Sequence, residues 1–170
     1  FLPMNFKDTI VAQSTPAGSS ATSTIRLSGS ESINIVNKIF PSKDLRDVKS
    51  HTVHFGNIIH DGNVIDEVVL NVFKEPNSYT KENIIEISCH GSQIIVKKII
   101  MIAIEFGARA AERGEFTFRS FINGNLDLSQ AEAVSDLISG KTENAHRIAI
   151  NHLKGVFSNK IKKLITNIKS

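Results

Sequence analysis

From Thr24 to Ser28 polar and apolar residues alternate without a break, Ile25 and Leu27 pointing one way and Thr24, Arg26 and Ser28 the other. That is the period of a half-buried strand. Thr9 to Ser14 reads as a strand before it, and Gly29 ends it. Ser30 is then placed to cap a helix, because Ile33, Val36, Ile39 and Phe40 recur at helical spacing until Pro41. Val53 to His60 and Val64 to Phe73 read as two strands joined at Asp61-Gly62-Asn63. Asp and Gly there supply the positive φ angles of a tight hairpin. Ile84 to Cys89 is a fifth strand, and Gly91 ends it. Ser92 then caps a long helix to Phe106 whose polar positions are few, so it should lie across a sheet. Arg109 to Ala111 reads as a short last strand.

After Gly114 the pattern changes. Thr117 to Phe121 has the spacing of one short helix, which Asn123-Gly124 ends. Leu128 to Ile138 is a second helix, with Asp127 or Ser129 as its cap. With Ser129 as cap, Glu132 would complete a capping box. Gly140 and Thr142 mark a break. A last helix then carries Leu153, Val156, Phe157, Ile161, Leu164, Ile165 and Ile168 on one face, with lysines mostly opposite. It reaches the final residue with no capping signal, as a segment cut from something longer would. Gly114 to Glu132 is therefore a hinge between a mixed α and β part and an all-helical tail. It also holds Arg119, Asn123 and Asn125 close together, more polar function than a connector requires.

Length allows one full domain plus an appendage in 170 residues, and 41% apolar content supports a core. Net charge is +3, too small to mark a nucleic-acid binder. It is unevenly spread, however: +6 from Gly140 onward, hence −3 before it. The basic tail lacks the interleaved aromatic residues that RNA-base stacking would use. The one cysteine, Cys89, excludes an internal disulfide and fits a reducing compartment. The longest apolar run, Ile99 to Ile104, falls far short of the ~20 residues of a membrane span. No signal peptide is visible, and Met4 reads as a natural start. A cytoplasmic location is expected.

No G-x-x-x-x-G-K-[ST] phosphate loop and no G-x-G-x-x-G after a strand occurs. His54 and His60 share a strand face but lie about 20 Å apart at ~3.3 Å per residue, and His51 points the other way. A metal site is not expected there. Cys89 and His90 are neighbours on opposite faces, and Cys89 goes with Ile85 and Ile87, so a core thiol is expected rather than a nucleophile.

Glu86 is the informative residue. It shares a face with Ser88 and His90 in an otherwise apolar strand. A carboxylate in a central strand needs a partner. One candidate is Arg26, the only charge of the second strand. The other is a ligand ring with two adjacent N–H donors, as on pterins and guanines. In that case Arg26 faces a carbonyl or anionic part of the same ligand.

The motifs Asp8-Thr9-Ile10-Val11-Ala12, Thr15-Pro16 and Ile25-Arg26-Leu27-Ser28-Gly29 resemble the amino terminus of the MnmE (TrmE) family of tRNA-modification GTPases. So do Pro76-Asn77-Ser78-Tyr79-Thr80, Glu82, Glu86 and His90-Gly91. The most specific piece is the hinge: Gly114 to Thr117, Arg119, Phe121, Asn123-Gly124, Asp127-Leu128 and Gln130 to Ala133. The resemblance implies an α+β fold, a mixed sheet with packed helices similar to the folate-binding domain of aminomethyltransferases. Residues 1–125 would bind a one-carbon tetrahydrofolate (5-formyl or 5,10-methylene) and form a homodimer. Residues 126–170 would open an all-α domain into which a GTPase domain is inserted beyond this chain. The full-length protein would use GTP with Mg and K ions, and would modify the tRNA wobble uridine with the FAD-dependent partner MnmG. Arg26 and Glu86 match the family's folate contacts. Asn125 stands where many members have lysine, and Ala17 to Ser20 where many have a glycine-rich loop, often with arginine. Two other readings compete: a pure interaction domain with a structural Arg26–Glu86 pair, and a stand-alone aminomethyltransferase-like enzyme. Missing acid–base machinery argues against the last.

Overall fold

The computed structural model describes residues 7–155 and 166. The chain divides into two compact units, one ending at Phe116 and the other starting at Thr117.

The first unit is built on a mixed sheet. Its strands are β1 (Ile10–Gln13), β2 (Thr22–Ser28), β3 (Thr52–His60), β4 (Asn63–Phe73), β5 (Ile84–His90) and β6 (Arg109–Ala110). Their order is β3-β4-β5-β2-β1-β6. All neighbours are antiparallel except β1 and β6, which are parallel. Two helices belong to this unit, α1 (Ser32–Asn37) and α2 (Gln93–Glu105). With a third helix at the hinge, this is the α and β mixture that the patterning predicts.

Alternation decides the core. Val11, Ile25, Leu27, Leu70, Val72, Ile85, Ile87 and Cys89 share one sheet face and are buried. Onto that face pack Ile33, Ile35 and Val36 of α1 and Val96, Ile99, Ile102 and Ala103 of α2. Truncating any of the large ones to alanine would cost about 2–5 kcal/mol. The β3–β4 hairpin turns on Asp61 (φ +48°) and Gly62 (φ +73°), and positive φ at both central residues is what a type I′ turn demands. Near the turn the register shifts between Ile58 and Ile59: Ile58 opposes Asp66 and Ile59 opposes Val64. Ile65 is thus an extra residue, a bulge that the pattern does not announce.

One cap assignment differs from expectation. The cap position of α1 is Glu31, not Ser30, and its side chain makes no capping bond. Gly29, at φ +136°, lies so close to Thr9 that a Cβ would be 2.6 Å from the Thr9 Cα. The first helical bond runs from the Ile35 amide to the Glu31 carbonyl at 2.8 Å, so the helix starts one residue later. Ser92 has the extended backbone of a cap for α2, without a side-chain bond to the helix.

Helix α3 (Glu115–Ile122) spans the point where the units divide. The second unit holds α4 (Leu128–Ser139) and α5 (Glu143–Leu153), which pack together with Ala133 and Ala149 buried. Of the two possible caps for α4, Asp127 takes the position. Its side chain accepts from the Gln130 amide at 2.9 Å, and Gln130 Oε1 accepts from the Asp127 amide at 2.9 Å. The capping box is therefore Asp127–Gln130 rather than Ser129–Glu132. Thr142 caps α5, and Gly155, at φ +71°, follows its end. Apart from Leu153, the apolar face expected on the last helix lies outside the described residues. No helix among the described residues is long and apolar enough to cross a membrane.

Candidate ligand site on the second sheet face

The sheet face turned away from α1 and α2 carries the other half of each alternation. Pairing aligns Val53, Asn71, Glu86, Arg26 and Ala12 in one row across five strands. The next row is Phe55, Val69, Ser88 and Thr24. Val53 and Phe55 are exposed, while Asn71, Glu86, Arg26, Ser88 and Thr24 are half-buried.

Arg26 and Glu86 are direct cross-strand partners on β2 and β5, the arrangement in which opposite charges stabilise a sheet. Arg26 Nε donates to Glu86 Oε1 at 2.8 Å, and Nη2 lies 2.7 Å from the same oxygen. The side chains are 25% and 20% exposed, so the pair is reachable from solvent. The Arg26 guanidinium carbon also lies 5.7 Å from the centre of the Tyr79 ring and 5.4 Å from that of Phe116. Both distances fall within the ~6 Å of a cation–π contact.

Each ring is held in place from below. Tyr79 sits in the loop between β4 and β5. Buried Ser28 ties that loop down, 2.7 Å from Thr80 Oγ1 and donating to Glu82 Oε2 at 2.6 Å. Phe116 follows Glu115, whose buried carboxylate takes Arg109 Nη2 at 2.6 Å, while Arg109 Nε donates to Asp8 at 2.7 Å. These two carboxylates raise the Arg109 pKa above its ordinary value, chiefly through the hydrogen bonds it donates to Glu115.

A second constellation ends the same strand. Asp66 is 8% exposed and gives both oxygens to His90: Oδ2 accepts the backbone N–H at 2.8 Å and Oδ1 meets ring Nδ1 at 2.8 Å. The β4–β5 ladder closes at Val69 and Ser88, so the Asp66 carboxylate replaces a main-chain carbonyl for His90. Asp66 continues the inward positions Val68, Leu70 and Val72 of β4, in regular register opposite Ile58. Cys89 beside it is 2% exposed, and burial pushes its thiol up to about 11, with the Asp66 charge adding. It is the core thiol that the alternation indicates.

Asn125 belongs to the second unit. It is exposed, and its amide donates to Ser120 Oγ at 3.3 Å. Arg119, picked out with it in the hinge, is fully buried. Of the three residues assigned to folate, the structure brings Arg26 and Glu86 into contact. The three histidines of β3 and its approach have separate neighbours: His51 meets Ser50, His54 meets Thr52, and His60 lies 3.4 Å from Glu105. Tyr79 and Phe116 were not singled out from the sequence for this face, nor Asp66 as the partner of His90.

Residues 9–125 match the family model described as GTP-binding protein TrmE N-terminus. The chain belongs to this TrmE amino-terminal family. It is 51% identical over 160 residues to the tRNA modification GTPase MnmE of Cytophaga hutchinsonii, covering 94% of this chain and 35% of that protein. Identity to the Flavobacterium johnsoniae protein of the same name is 53% over 161 residues, 93% of this chain and 34% of that one. For the Enterococcus faecalis protein it is 48% over 161 residues, with 92% and 35% covered. The chain thus spans about a third of the length of these TrmE relatives.

Proposed function

We propose that this chain is the one-carbon-folate-binding and dimerising module of a GTPase that modifies the wobble uridine of tRNA. The observation that carries the reading is Glu86. It is a solvent-reachable carboxylate at the centre of a sheet face, with a guanidinium and two aromatic rings beside it. A carboxylate accepts two adjacent N–H donors side by side, and the pyrimidine edge of a tetrahydrofolate presents such a pair. Family membership and the names of the relatives support the larger setting.

On this reading residues 1–125 form a folate-binding fold similar to that of aminomethyltransferases, and residues 126–170 begin a helical domain. Glu86 holds the pterin ring of 5-formyl- or 5,10-methylenetetrahydrofolate. Arg26 and Asn125 serve the carbonyl or carboxylate parts, Asn125 without the charge a lysine would bring. GTP with Mg and K ions, MnmG and tRNA are engaged by the full-length protein, in the cytoplasm.

Isothermal titration with 5-formyltetrahydrofolate tests the reading. Wild type should release binding heat, and Glu86→Gln should weaken binding by roughly 1.5–3 kcal/mol, the range for a hydrogen bond to a charged group. The direct Arg26–Glu86 contact favours one alternative, an interaction domain in which the pair is purely structural. That alternative gives no heat with wild type, and a Glu86→Gln variant that is only less stable.

A further inference from the structure

The hydrogen bonding of Arg26 has a chemical feature that the folate reading leaves unused. Its Nε and Nη2 belong to one planar N–C–N group, and both reach a single oxygen of Glu86. Its central carbon lies 5.7 Å from the Tyr79 ring centre and 5.4 Å from that of Phe116. A flat group with two adjacent N–H donors, backed by aromatic rings and facing a carboxylate, is also the chemical description of a 2-amino-pyrimidinone edge. Guanidinium and that edge share the N–C–N unit itself.

We infer that the Arg26 guanidinium is an internal stand-in for the ligand edge. A ligand gains Glu86 by displacing Arg26 from it, and its ring then takes Tyr79 and Phe116 as stacking surfaces. This inference rests on the folate reading and adds to it two ring-stacking residues and an exchange step. Displacement is feasible because the pair is solvent-reachable, and ion pairs in contact with water are worth little net free energy. Once released, the guanidinium remains charged and free to take a carbonyl or carboxylate of the same ligand. The exchange also sets selectivity. A ring lacking paired N–H donors cannot replace what the guanidinium gives Glu86, so the carboxylate keeps its internal partner.

The test uses two ligands on the full chain: 5-formyltetrahydrofolate, and 2-aminobenzimidazole, a flat ring with paired N–H donors and neither carbonyl nor carboxylate. Arg26→Met removes the stand-in. It should bind 2-aminobenzimidazole about three- to tenfold more tightly than wild type, the range for relief of a solvent-touched ion pair. Glu86→Gln should abolish the gain, and Tyr79→Leu or Phe116→Leu should weaken both ligands while Tyr79→Phe restores them. A measurement on wild type guards against a variant that does not fold: the Arg26 Nε–H resonance, followed by nitrogen-15 NMR, should shift on adding 5-formyltetrahydrofolate. Binding of that folate with an unmoved Arg26 resonance, or with Arg26→Met no tighter for the small ring, overturns the exchange and leaves the folate site standing. No binding of either ligand to wild type or to Arg26→Met overturns both.

Discussion

Removing the Asp66 carboxylate isolates what it does for the end of β5. Asp66→Ala deletes two contacts at once, the 2.8 Å bond from the His90 amide and the 2.8 Å contact to the ring. They are unequal. The ring is 65% exposed, so water replaces its partner at a cost of about 0.5 kcal/mol. The amide bond ends on a carboxylate that is 8% exposed, and hydrogen bonds to charged groups contribute about 1.5–3 kcal/mol. Asp66→Ala should therefore lower the unfolding free energy by about 2–3 kcal/mol, and His90→Ala by only about 0.5 kcal/mol. Asp66→Asn, which keeps one acceptor oxygen without the charge, should fall between them. Urea unfolding followed by circular dichroism gives all three values, and hydrogen exchange at the His90 amide reports the local opening. If His90→Ala proves as costly as Asp66→Ala, the carboxylate is not standing in for a ladder carbonyl and the reasoning is wrong.

Three further expectations concern the fold. Burial holds the Cys89 thiol near 11, above the ordinary 9.0, so the folded state binds that proton more tightly than the unfolded chain. This contribution is intact below about pH 9 and is lost as pH rises toward 11, about 3 kcal/mol over the span. Cys89→Ala should flatten that slope in pH-dependent urea melts. Gly29→Ala places a methyl 2.6 Å from the Thr9 Cα at φ +136° and should cost about 1–3 kcal/mol; a thermal melt unchanged from wild type would contradict this. Asp127→Ala removes the α4 cap and should lower stability by about 1 kcal/mol, whereas Ser129→Ala should do almost nothing. The reverse order in chemical denaturation would restore the cap to Ser129.

Strands and their inward faces were legible because burial enforces a period of two, and no residue between Thr24 and Ser28 breaks it. The hairpin was legible because Asp61-Gly62 admits few other conformations. Glu86 stood out because charge is costly in an apolar strand, and the same reasoning named Arg26 as its possible partner. Asp66 escaped notice because the amide it satisfies, that of His90, belongs to another strand, and a pattern read along one strand does not show it. Tyr79 and Phe116 escaped because loop closure, through Ser28 and Glu82 in one case and Arg109 and Glu115 in the other, decides where they lie. The α4 cap was ambiguous for a simpler reason: Asp127–Gln130 and Ser129–Glu132 are two overlapping sets of the same signal.

The five-strand row through Arg26 and Glu86 has a consequence for how the sheet assembles. Sliding β2 by a single residue against β5 would turn Arg26 into the space filled by Ile25 and Leu27, and would expose both of those to water. The charge pair thus proofreads the threading of the sheet, and a wrongly threaded sheet would lose the whole polar row.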